Sequence, residues 1–144
     1  FLGADIAINY AEEDFPASLR AQNGGKGADV ILDVVGAKYL AQNVDALADY
    51  GRLVVIGLQG GAKGELDLGK LLSKRAAIIA TALRPRPVEE KAVIMDAVRD
   101  AVWPLLTDGR IRPLVAKTFP LDQVVAAHRY FDSGDHVGKI LLVL

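Results

Sequence analysis

The stretch 51-GRLVVIGLQGG-61 decides the fold class of this chain. Its apolar core, Leu53–Ile56, has the near-continuous hydrophobicity of a strand that is covered on both faces. Gly57 follows this strand at once, and two further glycines come before Ala62. Glycine at a strand end lets another group approach the backbone, because no Cβ stands in the way. The stretch therefore predicts an α/β sheet whose strand ends form a binding edge.

Strand-like and helix-like segments alternate along the first 83 residues. Segments typical of strands are Ala4–Tyr10, Ala28–Gly36, Arg52–Gly57 and Ala76–Leu83, and segments typical of helices are Glu12–Gly25, Tyr39–Gly51 and Leu68–Arg75. Helices of this length connect neighbouring parallel strands by right-handed crossovers. The alternation therefore predicts a parallel sheet, with the carboxyl ends of its strands as the first place to expect a ligand.

The pattern changes at Arg84–Pro87, where two prolines interrupt it. The apolar positions Ile94, Val98 and Leu105 predict a long helix, which Pro104 should kink or end. The remaining segments are an extended stretch at Ile111–Leu121, a helix at Asp122–Gly134 with Asp122 as its N-cap, and a strand at Gly138–Leu144. We therefore divide the chain into residues 1–83 and residues 84–144.

The composition excludes several classes of function. The 144 residues are 51% hydrophobic and 24% charged, with a net charge of −1 and no basic patch, so we expect no nucleic-acid partner. There is no cysteine, and the two histidines cannot form a metal site alone. No apolar run approaches the roughly 20 residues that span a bilayer. We expect a cytoplasmic domain without a membrane partner.

No nucleophile and base stand at a recognisable spacing, so we predict no catalytic residue in these 144 residues. Asp33 interrupts a buried strand, and bonds to backbone N–H groups explain it better than acid catalysis does. His128 fits a packed or surface position on a helix, and Trp103 fits a core or an interface. Three further cations could face either an anionic ligand or solvent: Arg84, Arg86 and Lys139.

Five segments of the chain resemble, in the same order, a single protein family. They are GADIAINYAEEDF, GADVILDVVG, GRLVVIGLQGG, WPLLTDGRIRPLVAKTFPL and AHRYFDSGDHVGKILLVL. The resemblance is to the C-terminal part of the zinc-independent quinone oxidoreductases (zeta-crystallin-like) of the medium-chain dehydrogenase/reductase superfamily. It implies NADPH-dependent reduction of quinones or other activated double bonds by direct hydride transfer. It also implies a catalytic β-domain followed by a Rossmann domain with strand order 3-2-1-4-5-6.

On this resemblance the fold is α/β, a partial Rossmann-type parallel sheet of strands three to six followed by a C-terminal helix-strand-helix-strand segment. Strand three would be Ala4–Tyr10, and strands four to six would be Asp29–Val35, Leu53–Ile56 and Ala76–Leu83. The phosphate-binding motif G-x-G-x-x-G is missing from the chain. We therefore expect this chain to be a piece of a longer protein, with Phe1–Tyr10 displaced, swapped or paired differently.

The resemblance also implies cofactor-binding positions. Gly57, Leu58 and Gln59 would lie beside the nicotinamide half of NADPH. The other implied positions are Tyr10 beside the adenosine 2′-phosphate, Val35 and Gly36 beside the ribose, and Thr81, Ala82 and Leu83 near the carboxamide. Some relatives carry an arginine near Gly134 for that phosphate. This chain has none there, which leaves the choice between NADPH and NADH open.

Strand six would form the edge of the sheet, and Ala76–Leu83 carries no charge or proline that would block pairing. The resemblance implies a homodimer joined through this edge and a small quinone or enone as the substrate. Two alternatives stay open. One is an S-adenosylmethionine-dependent methyltransferase, whose sheets contain similar strands. The other is a non-catalytic fragment that serves as an assembly module.

Overall fold

The computed structural model describes residues 3–144, and predictions that fall on Phe1 and Leu2 lie outside the described residues. The chain divides into two compact units: the first ends at Pro85, and the second is Arg86–Leu144. Each unit contains its own parallel sheet. The division falls within the segment where two prolines interrupt the sequence pattern.

The first unit is built around three parallel strands in the order β1-β2-β3. The strands are β1 (Ala28–Asp33), β2 (Leu47–Val55) and β3 (Ala77–Ala80), and the helices are α1 (Phe15–Gln22), α2 (Leu40–Ala46) and α3 (Leu68–Ser73). Leu53 in the central strand is fully buried, as is Val44 of α2. The predicted parallel α/β sheet is confirmed, and its strands correspond to strands four, five and six of the resemblance.

The local sequence explains where α1 and α3 begin. The Asp14 carboxylate accepts a hydrogen bond of 3.1 Å from the backbone N–H of Ala17, and Asp67 accepts one of 3.0 Å from Lys70. Each aspartate satisfies an amide that has no partner within its own helix. Pro16 lies in the first turn of α1, where a missing N–H leaves no bond unmade.

The strand predicted at Ala4–Tyr10 was wrong. Residues 4–9 form neither helix nor strand, and no strand of the described residues pairs with them. A strand is stabilised by its hydrogen-bonded ladder and by packing against a partner, so an alternating pattern alone does not hold one. The segment's absence from the sheet agrees with the expectation that it would not be paired as in a complete Rossmann domain.

Helix α2 ends at Ala46, earlier than the predicted limit at Gly51, and β2 begins directly afterwards. The side chain of Lys74 explains the early end. Its Nζ donates to the carbonyl oxygens of Val44, Asp45 and Leu47 at 3.0, 2.6 and 2.6 Å. These carbonyls have no amide partner at the end of the helix, and a cation there also complements the helix dipole. The contact is long-range, so the local sequence pattern does not reveal it.

The second unit contains helix α4 (Val88–Thr107), strand β4 (Val115–Pro120), helix α5 (Val124–Ser133) and strand β5 (Lys139–Val143). The two strands pair in parallel, and Phe119 and Ala127 are buried between the elements. Helix α5 ends at Gly134, whose φ of +73° suits a residue without a Cβ. The predicted helix-strand-helix-strand order is confirmed.

Three details of the second unit differ from expectation. Gln123, and not Asp122, stands at the N-cap of α5, because a 3-10 turn at Leu121–Gln123 precedes the helix. Pro104 does not end α4, which continues to Thr107. Trp103 is 56% exposed and belongs to no core, since α4 contains no buried residue.

Candidate functional site

The carboxyl ends of β1, β2 and β3 lie at one edge of the first unit's sheet, because the three strands are parallel. The backbone continues the sheet's hydrogen bonding just past the strands. Ile56 N–H donates to the Asp33 carbonyl at 2.8 Å, and Thr81 N–H donates to the Val55 carbonyl at 3.1 Å. This edge therefore gathers the segments in which most of the predicted cofactor-binding residues lie.

The loop after β1, residues 34–39, and the loop after β2, residues 56–67, are joined by backbone hydrogen bonds. Three of these bonds cross between the loops: Gln59 N–H to Val34 O at 3.2 Å, Gly60 N–H to Val35 O at 2.7 Å, and Ala37 N–H to Gly61 O at 3.0 Å. Bonds between main-chain groups leave side chains free for other contacts. The two loops therefore form one surface with a fixed backbone.

The glycines of these loops are needed for the close approach of the two backbones. A Cβ on Gly57 would lie 2.7 Å from the Val34 carbonyl oxygen. A Cβ on Gly36 would lie 2.8 Å from the Gly61 carbonyl oxygen, and its φ of +80° disfavours any other residue. Sequence reasoning assigned these glycines to ligand access alone. In the structure each of them also permits contact between the loops.

Asp33 holds the start of the first loop. Its two carboxylate oxygens accept hydrogen bonds from the backbone N–H groups of Val35 and Gly36 at 2.8 and 3.0 Å. The residue is 5% exposed, so these bonds compensate the loss of water around the carboxylate. The structural role predicted for Asp33 is confirmed.

A cavity of about 760 Å³ runs along β1 and reaches the two loops. Consecutive residues from Val30 to Val35 all line it, so it follows the outer edge of the strand and not one face of the sheet. Tyr10, Val35 and Gln59, three of the predicted cofactor-binding residues, line this cavity. Its volume lies in the range of small-molecule sites.

Aromatic rings cluster on the wall of this cavity around Tyr39. The Tyr39 ring has edge contacts with Tyr10 and Phe15, with centroids 5.7 and 5.9 Å apart. The ammonium group of Lys38 lies 5.4 Å from the centre of the same ring. Sequence reasoning missed both Lys38 and Tyr39. Their position directly behind Gly36 and Ala37, at a strand end, was the signal that could have identified them.

The other predicted binding residues lie near this cavity without lining it. Gly36, Gly57 and Leu58 are in the contact between the loops, where a Cβ on Gly36 would also meet the Leu58 side chain. Thr81 and Leu83 follow β3, and Leu83 is 51% exposed. The structure thus places the predicted residues at one edge of the sheet, with Tyr10, Val35 and Gln59 as one group.

The other candidate residues are accounted for by less specific roles. His128 and Lys139 are exposed, and Arg84 is exposed just before the second unit. Arg86 forms an ion pair of 2.9 Å with Glu90 on the first turn of α4. None of the four lines the cavity along β1.

A metal site does not fit the residues described here. No group of three or more His, Cys, Asp or Glu side chains within residues 3–144 could hold a metal ion. Within the same residues, no helix has the length and apolar composition required to cross a membrane.

A parallel sheet with glycine-containing loops at its carboxyl edge defines the class of Rossmann-type cofactor domains. The profile of the family described as "Zinc-binding dehydrogenase" matches residues 2–142. The chain therefore belongs to the zinc-binding dehydrogenase family, within the medium-chain dehydrogenase/reductase superfamily, as the sequence resemblance predicted. This membership leaves the methyltransferase alternative without support.

Known relatives and solved structures match nearly the whole chain. A 2-haloacrylate reductase from a Burkholderia species is 29% identical over 99% of this chain and 43% of its own length. The quinone oxidoreductase of Rattus norvegicus is 25% identical over 99% of this chain and 42% of its own length. The crystal structure of an NAD-dependent alcohol dehydrogenase superposes with a TM-score of 0.76 and 27% identity, over 99% of this chain and 38% of that one. The chain thus spans less than half the length of these relatives.

Proposed function

We propose that this chain is the cofactor-binding half of an NADPH-dependent reductase that transfers hydride directly to quinones or other activated double bonds. The observation that carries the proposal is the carboxyl edge of the sheet, where hydrogen-bonded loops meet a cavity lined by Tyr10, Val35 and Gln59. The relatives named quinone oxidoreductase and 2-haloacrylate reductase support an oxidoreductase. The substrate is a small quinone or enone.

The proposed cofactor would be held along this edge. Gly57, Leu58 and Gln59 would bind the nicotinamide half, and Thr81 and Leu83 would approach its carboxamide. The other proposed contacts are Tyr10 beside the adenosine and Val35 and Gly36 beside the ribose. When bound, the dinucleotide supplies the hydride, and the protein supplies position and environment.

This chain's own contribution to the chemistry is positioning. The three backbone bonds between the loops hold Gln59 and Gly60 against Val34 and Val35, so the loop surface does not have to order itself when a ligand binds. Asp33 fixes the same backbone from below through its two accepted bonds. No side chain of the chain is assigned a proton or hydride transfer, and we place those groups in the rest of the parent protein.

Further properties of the parent protein follow from the same proposal. It would act without zinc, in the cytoplasm, and as a homodimer joined through Ala76–Leu83. In the first unit β3 is an edge strand, which pairs with β2 on one side only. An unprotected edge of this kind can pair with a second copy across a two-fold axis.

Saturation-transfer NMR on the 144-residue chain tests the cofactor class. We expect transfer to NADPH and none to S-adenosylmethionine. Transfer to S-adenosylmethionine alone would contradict the proposal. An NADPH–quinone assay on the longest natural form of the protein and on this chain then tests catalysis, with activity expected only in the longer form.

The second candidate function is a non-catalytic assembly module. The observation that favours it is the open edge of β1, which no strand of the described residues covers and along which the cavity runs. An open edge of this kind can bind a strand of another chain. The absence of transfer to both NADPH and S-adenosylmethionine would favour this candidate over the reductase.

A further inference from the structure

The cavity along β1 contains one cation among its lining residues, Lys38, and one carboxylate, Asp33. The carboxylate is buried, and both of its oxygens already accept backbone hydrogen bonds. Lys38 is exposed, and no carboxylate among residues 3–144 lies within ion-pair distance of it. The positive charge that this cavity offers to a ligand is therefore that of Lys38.

The position of Lys38 places this charge beside Tyr10. The Lys38 ammonium group lies over the Tyr39 ring, and the Tyr10 ring has an edge contact with the same ring. Tyr10 is 65% exposed, so its hydroxyl is accessible to a ligand. An ammonium group and a phenol on the two sides of one aromatic ring can together donate to the oxygens of a phosphate.

The other cations of the first unit do not offer an equivalent group to the cavity. At the amino end of the sheet, the ammonium or guanidinium groups of Lys70, Lys74, Arg20 and Arg75 already bond to carboxylates or carbonyls. Lys63 lies exposed in the loop after β2 and does not line the cavity. Lys38 therefore differs from its neighbours in facing the cavity without an acidic partner.

We infer that Lys38, together with Tyr10, is a specificity-determining residue that recognises the phosphate on the adenosine ribose of the cofactor. The inference rests on the proposed function and deepens it. That phosphate distinguishes NADPH from NADH, so the pair sets the preference between the two cofactors. Lys38 also supplies the charge that an arginine near Gly134 would otherwise contribute.

Dissociation constants of NADPH and NADH, measured by isothermal titration calorimetry on the 144-residue chain, test this inference. The variants are Lys38→Met, which keeps the aliphatic stem, and Lys38→Arg, which keeps the charge. Lys63→Met is the matched control, because it removes an exposed lysine that does not line the cavity. Circular dichroism confirms that each variant is folded.

We expect the unsubstituted chain to bind NADPH more tightly than NADH. Lys38→Met should weaken NADPH binding about tenfold, the loss of one charge-assisted contact, and leave NADH binding within about twofold. Lys38→Arg and Lys63→Met should retain the preference. The pair 2′,5′-ADP and 5′-AMP should reproduce the same pattern, because they differ in the same phosphate.

Two results would contradict the inference in distinguishable ways. If the chain binds both cofactors and Lys38→Met leaves the ratio of their dissociation constants unchanged, the role of Lys38 is refuted while the proposed function stands. If the unsubstituted chain binds neither cofactor, cofactor binding by this chain is refuted, and the role of Lys38 with it. A loss of affinity for both cofactors in Lys38→Met would also refute a role in specificity.

Discussion

The two ends of the three-stranded sheet are stabilised in different ways. At the carboxyl end, backbone hydrogen bonds and glycines join the loops after β1 and β2, and Tyr10, Lys38 and Gln59 stay accessible. At the amino end, cationic side chains are used up in the structure itself: Lys74 and Arg20 donate to carbonyls at the end of α2. The comparison teaches that a binding edge is one where main-chain groups maintain the fold and side chains remain available.

The largest effect is expected where the backbones approach most closely. Gly36→Ala should destabilise the chain by about 2–4 kcal/mol, because its Cβ would meet the Gly61 carbonyl oxygen at 2.8 Å and its φ is +80°. Gly24→Ala is the matched control: it shares a positive φ of +59° but has nothing within 4 Å of its Cβ, so it should cost about 1 kcal/mol. Urea unfolding measures both, and equal losses would show that the contact between the loops contributes little.

The amino end predicts a loss of intermediate size. Lys74→Met should cost about 2 kcal/mol, because three carbonyls at the end of α2 lose a charged donor. Lys70→Met is the control, since it removes a single exposed ion pair with Asp45 and should cost less. Urea midpoints of the two variants make the comparison. A Lys70→Met loss as large as that of Lys74→Met would contradict the account of the amino end.

The edge strand β3 offers a test of the proposed homodimer with little expected change in the stability of the monomer. Thr81 N–H faces β2, so in the alternating pattern of a strand the N–H of Ala80 faces away from it. Ala80→Pro should therefore block pairing with a second copy and leave the bonds between β2 and β3 in place. Sedimentation velocity should show a monomer for Ala80→Pro and a dimer for the control Ala80→Ser. A dimer in both would place the interface elsewhere.

The smallest effect concerns pH. Burial lowers the pKa of Lys74 below its ordinary value of 10.5, with the Arg20 charge as the next cause. The unfolded chain therefore holds this proton more tightly than the folded chain, so the contribution of Lys74 to stability should increase as pH rises toward 10.5. The unfolding free energy of the unsubstituted chain minus that of Lys74→Met should grow between pH 8 and pH 10, by less than about 1 kcal/mol. A decrease would reverse the sign of the assigned shift.

Much of the fold could be predicted from the sequence because its signals are local. The continuous apolar runs around Leu53 and Ile31 predicted two of the three strands of the sheet, and the Asp33 interruption predicted bonds to the backbone. The failures at Ala4–Tyr10 and at the end of α2 share one cause. Each depends on a partner distant in sequence, a paired strand in the first case and Lys74 in the second.

The candidate site was predicted less completely. The loop segments were placed at the correct edge, because strand ends are visible in the sequence. The contact between the loops was missed, since a glycine that admits a ligand and one that admits a neighbouring backbone look alike in a sequence. Lys38 was missed because its importance lies in the lack of an acidic partner, which only the packed structure shows.

The most direct test of the central claim is a two-dimensional ¹H–¹⁵N NMR titration of the chain with NADPH. The account predicts shifts for the amides of the carboxyl edge, at Val35, Gly36 and Gln59, and unchanged signals at the amino edge, at Asn23 and Gly27. Shifts confined to the amino edge, or no shifts at saturating NADPH, would contradict the claim that the accessible edge is the binding edge.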